Sequence, residues 1–157
     1  MTTMYWLAVA LGGALGAMGR AGIAATLSTG AGFPWHTFAA NVIGSVAIGL
    51  LWAALNRAEA APLWSAFLIT GVLGGFTTFS TFSLDTLLLF EQGAWQTALG
   101  YVALSVVSCV VGAGLGVGLI RALGQTCGHF RTPVRRLFAV NSRPSELDAK
   151  HARHQNP

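Results

Sequence analysis

Four long apolar stretches separated by short polar breakers constrain this chain more than any other feature. They cover residues 4–27, 35–55, 63–90 and 95–123. A helix needs about 20 predominantly apolar residues to cross the hydrocarbon core of a bilayer, and each stretch meets that length. The breakers are residues 28–34, 56–62 and 91–94. Trp6, Trp35, Trp52, Trp64 and Trp95 fall near the ends of the stretches, where amphipathic rings favour the membrane interface. Only 9% of the residues are charged, against about 25% in a soluble domain. The expected fold is an all-α membrane protein of four transmembrane helices in one domain, residues 1–123.

Charge is unevenly distributed. Residues 1–120 hold two basic side chains, Arg20 and Arg57, and three acids, Glu59, Asp85 and Glu91. The other seven of the nine basic residues begin at Arg121, so the net charge of +4 describes the tail. A basic end beside apolar spans reads as a cytoplasmic anchor on anionic lipid, with no nucleic acid as partner. Four spans put both termini and the Arg57 loop on one side, which the positive-inside rule makes cytoplasmic. Residues 124–157 are rich in arginine and polar groups, and a mostly disordered tail is expected there. Within it, residues 134–140 either lie on the bilayer as a short amphipathic piece or have no structure. Residues 1–19 lack a basic n-region, so no secretory signal is expected. Lys150 is the only lysine, and alanine and glycine abound. That points to a GC-rich bacterial genome and a multi-pass place in the bacterial inner membrane.

The spans contain residues that lipid alone would not tolerate. Gly12, Gly16 and Gly19 share one face of the first span, which lets helix backbones approach closely. Arg20 lies inside the same span, where a charge costs at least ~2.5 kcal/mol on insertion scales. It either snorkels to the interface, or pairs with an acid or structures a vestibule. The expected partner is Asp85, because the first and third spans run in the same direction and both residues lie near the same end. Thr37 and Asn41 lie in the second span, and the Asn41 amide must find partners inside the protein.

The third span carries the densest signal. Residues 71–85 contain three glycines, the adjacent pair Thr77 and Thr78, and a run of hydroxyls. Glycine costs about 1 kcal/mol relative to alanine in a helix. The stretch 63–90 is also longer than one span requires, so a break near its middle is expected. A break at membrane depth frees carbonyls to bind an ion. Phe79 and Phe82 follow, three residues apart, interleaved with Ser80, Thr81 and Ser83. Ring edges are positive, and with hydroxyl and amide donors they make a path for a small, hard anion. In the fourth span Tyr101, Ser105 and Ser108 keep helical spacing, and Cys109 continues the row from Ser105. That stripe either glues helices together or lines such a path.

These motifs resemble the CrcB/Fluc family of fluoride channels over residues 1–123. The most specific element is Gly-Gly-Phe-Thr-Thr-Phe-Ser-Thr-Phe-Ser, residues 74–83, and the runs 12–20 and 41–44 appear in the expected order. The resemblance implies an antiparallel, dual-topology homodimer with two fluoride pathways. It assigns to the pathway Asn41, the ring edges of Phe79 and Phe82, and the track of Tyr101, Ser105 and Cys109. Thr37, Ser80 and Thr81 are expected beside them. It matches Arg20 to the arginine of the first-span motif. It further implies a structural sodium ion at the dimer centre, bound by backbone carbonyls of Gly74 and Thr77. The near balance of charge in the short loops suits dual topology, and the basic tail opposes it.

Two other readings remain open at this stage. A small multidrug-type antiporter would need a carboxylate deep in the membrane, and the first span has no acid. A non-transporting scaffold would explain the glycines but not the break, the phenylalanine pair and Asn41 together. No nucleophile, base and acid set or phosphate loop occurs, so an enzyme is not expected.

Overall fold

A computed structural model describes residues 2–27 and 32–125. Its helices are α1 (Thr3–Thr26), α2 (Trp35–Arg57), α3 (residues 62–76), α4 (Phe79–Glu91) and α5 (Trp95–Gln125). No strand occurs among the described residues. Together α3 and α4 form the third span, Pro62–Glu91, and four spans are long and apolar enough to cross a membrane. The protein is a multi-pass integral membrane protein. The expected tail begins inside α5, at Gly124 and Gln125, and the rest of it, including the stretch 134–140, lies outside the described residues.

The third span is broken where its sequence is least helical. Pro62 opens α3 in the first helical turn, where its missing N–H costs nothing. Residues Ala66–Leu73 then widen into a π-helix before Gly74–Phe76 close it. Thr77 (φ −77°, ψ 156°) and Thr78 (φ −149°, ψ 109°) are extended, a conformation β-branched side chains accept readily. Thr78 restarts the chain as the N-cap of α4, its Oγ1 accepting from the Thr81 amide at 3.1 Å. That satisfies one of the donors a helix start leaves unpaired.

Small residues bring the helices together. A Cβ on Gly12 or Gly16 of α1 would collide with the Phe67 or Val72 carbonyl oxygen of α3. Only glycine permits this approach, so the stripe seen in the sequence is the α1–α3 seam. Gly44 of α2 faces the Thr77 methyl in the same way, which seats α2 against the break. At the other end of the site, Leu89 of α4 packs on Ala98 and Tyr101 of α5. Outside these seams large apolar side chains such as Leu11, Leu15, Met18, Val110 and Leu115 are exposed. Such a surface suits lipid and would be untenable in water.

Candidate functional site

Beside the break lies a cavity of about 340 Å³. Asn41, Gly44 and Ser45 of α2, Gly74 and Thr77 of the third span, Phe79 and Phe82 of α4, and Ser105 and Cys109 of α5 line it. None of its lining residues is charged. Five of the nine residues expected on the pathway therefore meet at one place: Asn41, Phe79, Phe82, Ser105 and Cys109. The two phenylalanine rings lie 5.6 Å apart, tilted at 41°. Ser105 is 4% exposed, and its Oγ has no hydrogen-bond partner in the chain. A buried hydroxyl in that state is a donor held ready for whatever occupies the cavity.

Asn41 is fixed by two hydrogen bonds to one residue. Its Nδ2 donates to the Thr78 carbonyl at 3.1 Å, and its Oδ1 accepts from the Thr78 amide at 2.7 Å. The opposite amide orientation would set donor against donor, so the network fixes it. Nδ2 carries a second hydrogen, which these bonds leave for the cavity Asn41 lines. Asn41 thereby stitches α2 to the broken strand of backbone and remains a donor.

The same bonds redirect the backbone. In a continuous helix the Thr78 amide would bond to the Gly74 carbonyl and the Thr81 amide to that of Thr77. Here they bond to Asn41 Oδ1 and Thr78 Oγ1. The carbonyls of Gly74 and Thr77 lose those donors, and both residues line the cavity. Two carbonyl oxygens without side-chain ligands fit a hard cation. Among the described residues there is no cluster of three His, Cys, Asp or Glu that could hold a metal by side chains.

Beyond the Asn41–Thr78 link lies a second cavity of about 170 Å³, lined by Arg20, Ala21, Ala24, His36, Thr37, Thr78 and Thr81. It collects two more of the expected pathway residues, Thr37 and Thr81. Ser80 lines neither cavity; its Oγ lies 3.3 Å from Thr78 Oγ1. Tyr101 lines neither cavity as well. It is fully buried, its ring 5.1 Å from that of Phe82 and tilted at 46° to it, with its hydroxyl 3.5 Å from Asp85 Oδ2.

One expectation is corrected. Arg20 and Asp85 do not pair. Arg20 Nε donates to the Gly75 carbonyl at 3.2 Å, one of the carbonyls the break releases. Asp85 instead accepts from Thr37 Oγ1 at 2.6 Å, a short, charge-assisted bond. Sequence spacing put the two charges at one depth but could not show that neutral groups on α2 and α3 stand nearer. Three polar lining residues were missed as site residues: Ser45, His36 and Thr78. Ser45 is four residues from Asn41 and so shares its face, and His36 directly precedes Thr37.

A family model described as CrcB-like protein, Camphor Resistance (CrcB), matches residues 7–117. The chain is 47% identical over 123 residues to the fluoride-specific ion channel FluC 2 of Nitrobacter hamburgensis, covering 76% of this chain and 99% of that one. It is 50% identical over 119 residues to the fluoride-specific ion channel FluC of Rhodospirillum centenum, covering 73% and 94%. It is 50% identical over 118 residues to the FluC of Paracoccus denitrificans, covering 72% and 93%. With the broken third span, the paired phenylalanines and the Asn41 stitch already in place, these matches lead to one conclusion: the chain belongs to the CrcB-like protein family.

Proposed function

We propose that this protein is a fluoride-specific channel that lets cytoplasmic fluoride leave the cell passively and so limits its toxicity. The observation that carries the reading is the uncharged donor cavity beside the break. Fluoride is a small, hard anion that surrenders its water only to short donors. The free hydrogen of Asn41 Nδ2, the unpaired Ser105 hydroxyl and the positive edges of Phe79 and Phe82 supply such contacts. With no charged side chain lining the cavity, binding stays weak enough for release, which conduction requires. Cys109 continues the track with a thiol, a weaker donor than the hydroxyl. The driving force is the membrane potential, worth about 2.3 kcal/mol per elementary charge per 100 mV. The relatives' printed name, fluoride-specific ion channel, supports the same reading.

The proposal extends to assembly as an antiparallel homodimer. Phe79 lines the cavity, yet its side chain is 79% exposed in the single chain; a second copy would enclose it. The Gly74 and Thr77 carbonyls of both copies would hold a sodium ion, which when bound supplies a fixed positive charge that offsets the carbonyl dipoles at the break. The test is fluoride efflux from vesicles carrying wild-type protein, Asn41→Ala or Phe82→Ile. Each variant is expected to lose at least about tenfold in rate per assembled protein, the loss of one strong contact being worth about 1.4 kcal/mol or more; Phe82→Ile leaves the Asn41–Thr78 bonds intact and decides the matter if Asn41→Ala assembles poorly. Wild-type rates in both variants would contradict it.

A further inference from the structure

The second cavity holds a titratable group that the pathway reading leaves unused. His36 stands in the first turn of α2, beside Thr37, and faces the cavity together with Arg20, Thr78 and Thr81. Its Nδ1 is buried and has no hydrogen-bond partner in the chain. Buried ring nitrogens are almost always satisfied, and the ring that carries this one borders the 170 Å³ space. Resting on the channel reading, we infer that His36 makes anion capture proton-dependent: its protonated ring draws fluoride into this cavity, and its neutral ring does not.

The charged and titratable groups around this cavity come from α1, α4 and α5. Arg20 of α1 is a permanent cation, and its Nε is engaged with the Gly75 carbonyl. Asp85 of α4 is the nearest acid in this hydrogen-bonded set. Its Oδ2 is held by Thr37 at 2.6 Å and approached by Tyr101 of α5 at 3.5 Å. Thr78 and Thr81 add only hydroxyls, bonded to one another at 2.9 Å. Histidine is the side chain whose charge ordinarily changes near neutral pH. The neutral ring leaves one nitrogen as an acceptor, which an anion avoids; the protonated ring donates from both. Protonation therefore adds a second cation beside Arg20 and reverses the polarity of one nitrogen. Thr37 of this cavity and Asn41 of the donor cavity lie one turn apart on α2, and the Asn41–Thr78 bonds stand between the two spaces. An anion concentrated here waits one helical turn from the pathway, and a site of one sign raises the rate of capture accordingly.

The test is initial fluoride efflux from vesicles of the full chain at low fluoride, at about pH 6 and about pH 8, with protein-free vesicles run alongside to subtract leakage of hydrogen fluoride. Wild-type efflux is expected to be at least about threefold faster at the lower pH. His36→Gln is expected to run at the slow rate at both values. His36→Lys, which fixes the charge, is expected to run at the fast rate at both, and it decides the matter if His36→Gln does not assemble. A flat wild-type profile, or variants that keep the wild-type pH dependence, would overturn the inference while leaving the channel reading standing. No wild-type efflux at either pH would overturn both.

Discussion

Asn41 serves architecture and, in the channel proposed above, transport as well. Two of its hydrogen bonds hold the Thr78 peptide out of the helix, and its remaining N–H is the donor that the proposal offers to an anion. Asn41→Asp keeps the shape but places an acceptor where Thr78 O needs a donor, and adds a negative charge. We expect it to abolish fluoride efflux more completely than Asn41→Ala, measured per assembled protein in vesicles. Asp85 carries a second prediction. Because its short bond runs to Thr37, Thr37→Val and Asp85→Asn should couple in a double-mutant cycle by about 1 kcal/mol or more, while Arg20→Gln and Asp85→Asn should add within about 0.5 kcal/mol. Thermal unfolding in detergent reads both, and strong Arg20–Asp85 coupling would count against the structure. The sequence revealed Asn41 and Asp85 as out of place in lipid, because polarity is visible in a string of letters. Their partners were not visible. The Thr78 peptide, the Gly75 carbonyl and the Thr37 hydroxyl become partners only once helices far apart in sequence are packed.

Among the helices, the third span was the most legible in kind and the least in detail. Glycines and paired threonines announced a break, and the chain does leave the helix at Thr77 and Thr78. The π-helical stretch Ala66–Leu73 was not legible, because its apolar sequence reads as ordinary α-helix and only packing against α1 distinguishes the two. The α1 glycine stripe was legible because its spacing follows the helix period. Two predictions belong here. Thr78→Val removes the cap of α4 and should destabilise the fold by about 1 kcal/mol, seen as a lower melting temperature. Gly16→Ala drives a methyl into the Val72 carbonyl and should prevent assembly. Gly22→Ala meets no atom within 4 Å and should be neutral or stabilising by up to about 1 kcal/mol. Size-exclusion profiles compare the two glycine variants directly, and similar behaviour would refute the close α1–α3 seam.

For the assembled protein, Phe79, which lines the donor cavity and is exposed in the single chain, carries the case for a second copy. If sodium bridges the Gly74 and Thr77 carbonyls of two copies, replacing it with a large organic cation should lower the melting temperature of the dimer, with recovery on adding sodium back. An unchanged melting temperature would remove the ion from the account. The orientation of the copies rests on charge bias, and a cysteine placed in the basic tail reports it: labelling from both sides of the membrane supports dual topology, and labelling from one side contradicts it. The central claim is that an uncharged cavity of amide, hydroxyl and ring-edge donors passes fluoride and refuses larger anions. The most direct measurement is fluoride and chloride efflux from vesicles containing the purified full chain, followed with ion-selective electrodes under an imposed membrane potential and no proton gradient. The account predicts rapid fluoride efflux and chloride efflux indistinguishable from empty vesicles. Equal efflux of both ions, or fluoride efflux only when a proton gradient is applied, would contradict it.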